Sequence, residues 1–179
     1  MRRGLLLDRD GVVNVDRGYV GRRDQFEFMP GLFAFLRSAE DRGFRLAILT
    51  NQSGVARGFY TEQDFQALTA WMLDELRRQG ITIDLVLGCS EHPEGSVAPY
   101  ARESFWRKPN PGMVLDAVQA LRLNAARSVF LGDQMRDMEA AKAGGIGQRL
   151  LLSHEFDTCQ DARVVRGFDE ALKALSSSV

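Results

Sequence analysis

Disulfides have little to be made from here. The 179 residues include only two cysteines, Cys89 and Cys159, far apart in the chain, which gives no framework of bridges and suits a reducing compartment, the cytoplasm. Long hydrophobic runs are also missing. The basic start "MRRG" leads into an apolar stretch that ends at Asp8, too short for the core of a signal peptide, and no run approaches the length of a membrane span. Neither charge is in excess: 23 Lys and Arg stand against 24 Asp and Glu, for a formal net charge of -1. No face-sized surplus of cations exists to displace counterions from nucleic acid. Repeats, low-complexity linkers and long heptads are lacking as well. These absences predict one domain spanning residues 1–179, monomeric by default, with neither a membrane nor a nucleic acid as partner. A chain this long buries a core unaided, and a small molecule is the expected partner.

What is there is an alternation of short apolar runs with longer segments of helical period, the pattern of an α/β fold with a parallel sheet. Five strands are expected at "GLLLD" (4–8), "RLAILTN" (45–51), "IDLVLGCS" (83–90), "SVFLGD" (128–133) and "GQRLLLS" (147–153). Helices are expected over 30–43, 61–80, 111–123 and 135–145, with Pro30 and Gly31 opening the first and Gly43 closing it. The second has Thr61 as candidate N-cap and Phe65, Leu68, Met72 and Leu76 along one face; Trp71 and Met72 read as packing residues. In the tail, "DEALKAL" looks helical, "SSSV" frayed, and no role is assigned after about residue 153. The whole reads as a doubly wound, mostly parallel sheet. Ligands in such sheets sit beyond the carboxyl ends of the strands, where strand order reverses.

The polar residues worth noticing fall at those ends. In "LLLDRDGVV", Asp8 and Asp10 follow the first strand and Gly11 lets the backbone turn, so both carboxylates can approach one ligand. Two acids that close disfavour joint ionisation unless a cation intervenes. Asp133 in "GDQMRD" would bring a third, and hard oxygen ligands with room for water suit Mg²⁺. With the charge offset, Asp8 could attack phosphorus and form an aspartyl phosphate, while Asp10 protonates the leaving oxygen and later takes a proton from water. Phosphate monoester hydrolysis can require up to about 10²¹ in acceleration, so two acids do not suffice. Thr50, Asn51 and the backbone of "TNQSG" supply donors and Lys108 of "RKPNPG" a fixed cation.

In this order, "DRDG", a Thr ending the second strand, the Lys of "RKP" and "GD" with Asp137 four residues after Asp133 resemble the haloacid dehalogenase (HAD) superfamily of phosphatases. The resemblance implies a Rossmann-like HAD fold, Asp8 as nucleophile, Asp10 as acid/base, and Thr50 and Lys108 on the phosphoryl group. It also implies Mg²⁺ held by Asp8, the Asp10 carbonyl and Asp133. "DRDGVVNVDRGYV", "TNQSGVARGFYTE" and "RKPNPGM" look like the branch acting on D,D-heptose 1,7-bisphosphate, which serves lipopolysaccharide or related heptose synthesis and is similar to the histidinol phosphatases. That likeness implies substrate contacts from Asp16, Arg17, Gly18, Tyr19, Asn51, Gln52, Ser53 and Arg107, the last as a bidentate clamp on a second phosphate. The spacing suits a capless member, with specificity left to loops.

One departure stands out. The branch often carries a zinc loop, C-x-H then C-x-C, before "RKP", whereas this chain reads "CSEHPEGSVAPYARESFWRKP". Cys89 remains, Glu91 stands at the expected His, and Ser104 and Trp106 replace the paired cysteines. Cys89 and His92 fall short of four ligands, so zinc is not expected. Packing by Pro93, Pro99, Tyr100, Phe105 and Trp106 is expected to hold the loop instead. Asp137 reads as a first-turn acid favoured by the helix dipole rather than a metal ligand. His92 and His154 read as solvated or hydrogen-bonded. A rival class, a non-catalytic phosphosugar binder or phospho-acceptor domain, is disfavoured by Asp10, which provides for removal of a phosphoryl group.

Overall fold

Three leucines in succession, Leu5, Leu6 and Leu7, can all be buried only in a strand covered on both faces, and all three are fully buried. The computed structural model describes residues 2–176. It places β1 (Arg3–Leu7) inside a sheet with β2 (Phe44–Asn51), β3 (Leu85–Cys89), β4 (Val129–Gly132), β5 (Gln148–Leu152) and β6 (Arg163–Val165). The order is β3-β2-β1-β4-β5-β6 and every pairing is parallel.

Side chains alternate across the sheet. Leu5, Leu7, Leu46, Ile48, Val129 and Leu131 face α1 (Leu32–Asp41), α3 (Glu62–Arg78) and α6 (Phe168–Ser176) in one core cluster. Leu6, Ala47, Leu49 and Phe130 face α4 (Gly112–Ala120) and α5 (Met135–Ala143) in the other. α3 begins as its sequence requires: Asp64 N donates to Thr61 Oγ1 at 3.1 Å and Thr61 N donates to Asp64 Oδ2 at 2.8 Å. Such reciprocal caps are worth about 1 kcal/mol. Met72 is fully buried, and Trp71 packs edge-on to Phe26 at 5.4 Å, as packing residues do.

The sheet differs from the expectation in having six strands rather than five and no antiparallel member. "RVV" escapes a pattern search because only Val165 of its three residues is buried. The four-residue α2 (Ser53–Ala56) is too short to show a period. The tail after residue 153 therefore has a structural part: it closes the sheet with β6, and α6 packs on α1, with Phe168 stacked on Phe35 at 5.0 Å. Of "SSSV", Ser176 ends α6 and the rest lies outside the described residues. Among the described residues no helix is long and apolar enough to cross a membrane.

Strand order runs outward from β1 through β2 and β3 on one side and through β4, β5 and β6 on the other. The reversal lies between β1 and β4, whose carboxyl ends carry Asp8 and Asp133.

Candidate active site

Asp8 continues β1 by donating its backbone N–H to Leu131 O at 3.0 Å, which fixes it against β4. Its side chain is almost fully buried. Arg9 N donates to Asp8 Oδ1 at 2.8 Å, and the ammonium of Lys108 lies 2.9 Å from the same oxygen. Oδ2 has no hydrogen-bond partner among the described residues. Gly11 is needed where it stands: its φ is +85°, and a Cβ there would lie 2.2 Å from Asp133 Oδ2. The backbone after β1 thus touches the acid after β4.

Lys108 is buried; its ammonium donates to Leu49 O at 2.8 Å and makes ion pairs with Asp8 Oδ1 at 2.9 Å and Asp137 Oδ1 at 2.7 Å. Burial alone would lower its pKa, but Asp137 and Asp8 outweigh burial and hold it above the usual lysine value. Asn51 clasps the Lys108 backbone from both sides, its Nδ2 donating to Lys108 O at 2.9 Å and its Oδ1 accepting from Lys108 N at 3.0 Å.

Asp8, Asp133 and Asp137 bring one oxygen each within 4.8 Å of one another. Burial pushes Asp8 up to about 7, against the pull of Lys108 and with Asp137 and Asp133 adding to the rise. Burial likewise pushes Asp133 up to about 6, relieved in part by the hydrogen bond from Gln134. Three carboxylates facing one ammonium leave a deficit of positive charge, and Asp133 Oδ1 is buried without a partner. An acidic, hard-oxygen set of this kind fits a divalent cation. Asp137 also serves as the first-turn acid of α5, where its Oδ2 accepts from Gln134 N at 3.1 Å.

The Asp10 carboxylate stands outside that cluster. Its Oδ1 accepts from Arg9 Nη2 at 2.9 Å and Asn14 Nδ2 at 3.0 Å, and its Oδ2 from Gln52 Nε2 at 3.0 Å. Arg9 is a fully buried arginine that also donates to Val20 O at 2.7 Å, tying the acid to the loop over the site. It was missed in the sequence, although an arginine between two acids was the signal. Thr50 lies just beneath, its Oγ1 accepting from Gln52 Nε2 at 2.8 Å.

A cavity of about 280 Å³ opens above these groups. Asp8, Asp10, Asp16, Gly18, Tyr19, Asn51, Gln52, Ser53, Arg107 and Asp133 line it as the sequence suggested. Arg17 is not among the lining residues; its exposed guanidinium pairs with Glu27. A larger neighbouring cavity of about 840 Å³ shares Asp133 with this one but holds neither Asp8 nor Asp10.

Five further residues line the cavity, Arg57, Tyr60, His92, Gln134 and Arg136, none of them assigned a role from the sequence. Arg57, Arg107 and Arg136 thereby bring three guanidinium groups to one cavity, with His92 beside them. Burial, then Arg136 and Arg57, lowers the Arg107 pKa; burial, then Arg107 and Arg57, lowers that of His92. His92 is hydrogen-bonded, accepting from Glu94 N at 3.0 Å. His154 is exposed and lines the other cavity.

The loop from Cys89 to Arg107 is held by polar contacts, not mainly by the packing expected of it. Phe105 and Trp106 are 57% and 47% exposed. Glu91 instead accepts from Arg102 Nε at 3.1 Å and Nη2 at 2.6 Å, and from Cys89 Sγ at 3.4 Å. Ser90 bonds Glu62, and Trp106 Nε1 donates to Asp116 at 2.6 Å.

A family profile described as haloacid dehalogenase-like hydrolase matches residues 3–145. The D-glycero-beta-D-manno-heptose-1,7-bisphosphate 7-phosphatase of Rhodopseudomonas palustris is 47% identical over 81% of this chain and 81% of its own length. Its namesake from Yersinia pestis is 45% identical over 83% and 79%. The D,D-heptose 1,7-bisphosphate phosphatase of B. bronchiseptica, solved with magnesium and phosphate, superposes with a TM-score of 0.84 at 25% identity over 99% of both chains. The chain belongs to the haloacid dehalogenase-like hydrolases. Within them it is a phosphoric monoester hydrolase.

Proposed function

We propose that this enzyme is Mg²⁺-dependent and removes the C7 phosphate of D-glycero-D-manno-heptose 1,7-bisphosphate through an aspartyl phosphate on Asp8. The observation that carries the reading is that the cavity lined by the Asp8–Asp10 pair is lined also by Arg57, Arg107 and Arg136. A single phosphate needs only the acidic pair and its donors. A second phosphate on the same substrate accounts for the basic rim, because guanidinium groups bind phosphate through charge-assisted bonds.

Asp8 Oδ2 attacks the C7 phosphorus while Oδ1 is held by Arg9 N and Lys108. Asp10 gives its proton to the departing C7 oxygen, then takes one from the water that releases phosphate. Thr50 and the α2 N-terminal turn at Ser53 face the phosphoryl oxygens, and Lys108 fixes the nucleophile. Asp16, Gly18, Tyr19, Asn51 and Gln52 shape the space for the sugar. Asp8, Asp133 and the Asp10 carbonyl would hold Mg²⁺, with Asp137 engaged by Lys108. The cation supplies charge neutralisation for the phosphoryl group and for the buried acids. Zinc has no part in the proposal, since Glu91 and Ser104 occupy the loop. Two free cysteines agree with a cytoplasmic enzyme, and a monomer carries a complete cavity.

Histidinol phosphate brings a cationic amine in place of a second anion, and the basic rim would repel it. Phosphate release from the heptose bisphosphate and from histidinol phosphate, measured side by side with Mg²⁺, tests the reading. Preference for histidinol phosphate overturns the substrate, and binding without turnover of either overturns the chemistry.

A further inference from the structure

Tyr60 borders the cavity and has no role in the scheme above. Its ring is wedged between two glycines: a Cβ on Gly54 would lie 2.2 Å from its Cε1, and one on Gly21 2.4 Å from its Cδ1. The space around the ring is therefore shaped for it. Its hydroxyl donates to Gln52 Oε1 at 2.5 Å. Burial pushes the phenol up to about 12, despite Arg9 nearby, so it stays a donor at working pH.

The amide of Gln52 has one oxygen and one NH₂ group. Tyr60 claims the oxygen. The NH₂ group is then bound to face Asp10 Oδ2 at 3.0 Å and Thr50 Oγ1 at 2.8 Å. Without the phenol the amide is free to turn, and its oxygen in that place would draw the Asp10 proton away from the leaving group before transfer and repel the carboxylate after it. Arg9 and Asn14 restrain Oδ1 of the same acid, so Oδ2 depends on Gln52 for its position.

We propose that Tyr60 is a positioning residue that acts through Gln52 to hold Asp10 Oδ2 where proton transfer takes place. The proposal rests on the phosphatase reading above. As the bond from Asp8 to phosphorus forms and the bond from phosphorus to the C7 oxygen breaks, the proton on Asp10 Oδ2 passes to that oxygen. In the second step the water oxygen bonds phosphorus, Asp8 is released, and a proton of the water returns to Asp10. A misplaced acid slows both steps, but the first only when the leaving group needs the proton.

The test compares kcat/KM for the heptose bisphosphate, whose alkoxide must be protonated, with that for p-nitrophenyl phosphate, whose phenolate leaves unaided. Tyr60→Phe keeps the wedged ring. It lowers the first value by about tenfold and the second by less than about twofold. On a Gln52→Met background, whose own loss includes the contact with the sugar, Tyr60→Phe causes no further loss on either substrate. Equal losses on both substrates, no loss on either, or additive losses in the double variant overturn the proposal. Asp8→Asn separates the two levels: if it remains active, the aspartyl-phosphate reading fails. If it is inactive while Tyr60→Phe shows no split, only the relay fails.

Discussion

The floor and the rim of the cavity are built on opposite principles. On the floor, Asp8 and Asp137 are tied through Lys108, and Asp10 and Thr50 through Gln52, by hydrogen bonds and ion pairs of 2.7–3.0 Å. On the rim, contacts are longer: Arg57 lies 3.4 Å from His92 Nε2 and 3.5 Å from Glu94, and Arg107 donates to Glu91 O at 3.5 Å, with Arg136, Arg57 and Glu103 near it. The floor is organised before substrate arrives, as electrostatic catalysis requires. The rim is short of negative charge and gains it from the ligand. On the proposed function, reactivity and selectivity fall to separable sets of residues.

The sharpest way to break the contrast is at the floor. Asp8→Asn keeps the shape of the side chain but not its nucleophilic oxygen, and phosphate release should fall on the order of 10⁴-fold or more with the thermal midpoint little changed. Removing Mg²⁺ with EDTA should abolish turnover. It should also destabilise the fold, by about 2.7 kcal/mol relative to protein at 100 times its Kd for the ion. Asp133 gives this effect a pH dependence. Its folded pKa, pushed up to about 6, lies above the unfolded value, so its contribution to the metal-free fold is present at low pH and lost as pH rises through about 6. The stabilisation by Mg²⁺ in thermal scans should accordingly be larger at pH 8 than at pH 5.

At the rim, Arg107→Ala or Arg136→Ala should raise KM for the bisphosphate about tenfold more than KM for a monophosphate, the size of one charge-assisted hydrogen bond. Equal effects on both would erase the distinction between floor and rim. The smallest effect concerns the loop that presents Arg107. Glu91→Gln weakens the half-exposed pair with Arg102 and should cost about 1 kcal/mol or less in chemical denaturation, leaving kcat in place.

Much of the floor was legible because it lies on strand ends. "LLLDRDG" and "LGD" announce both the strands and the acids that follow them, and helix starts such as Thr61 carry their caps in the sequence. The rim was not legible, since Arg57, His92 and Arg136 come from three segments and meet only in space. The surroundings of Arg17 were not legible either. It sits two residues from Tyr19, and beside the turn at Gly18, closed by the bond from Gly18 N to Asp16 Oδ1 at 2.8 Å, it pairs with Glu27. Glu91 was read as a missing ligand, when its partner Arg102 lies eleven residues on. The strand β6 was invisible because its burial comes from α6 and β5, not from its own pattern.

That last strand has a practical side. Three residues make a poor template for a neighbouring chain, and β6 caps one flank of the sheet with so little exposed ladder that strand-to-strand growth has nowhere to start. A version shortened before Arg163 would bare the run "QRLLL" of β5 along its full length. Such trimming would leave the cavity's residues intact while inviting fibrous association, so affinity tags and truncations on this protein belong elsewhere.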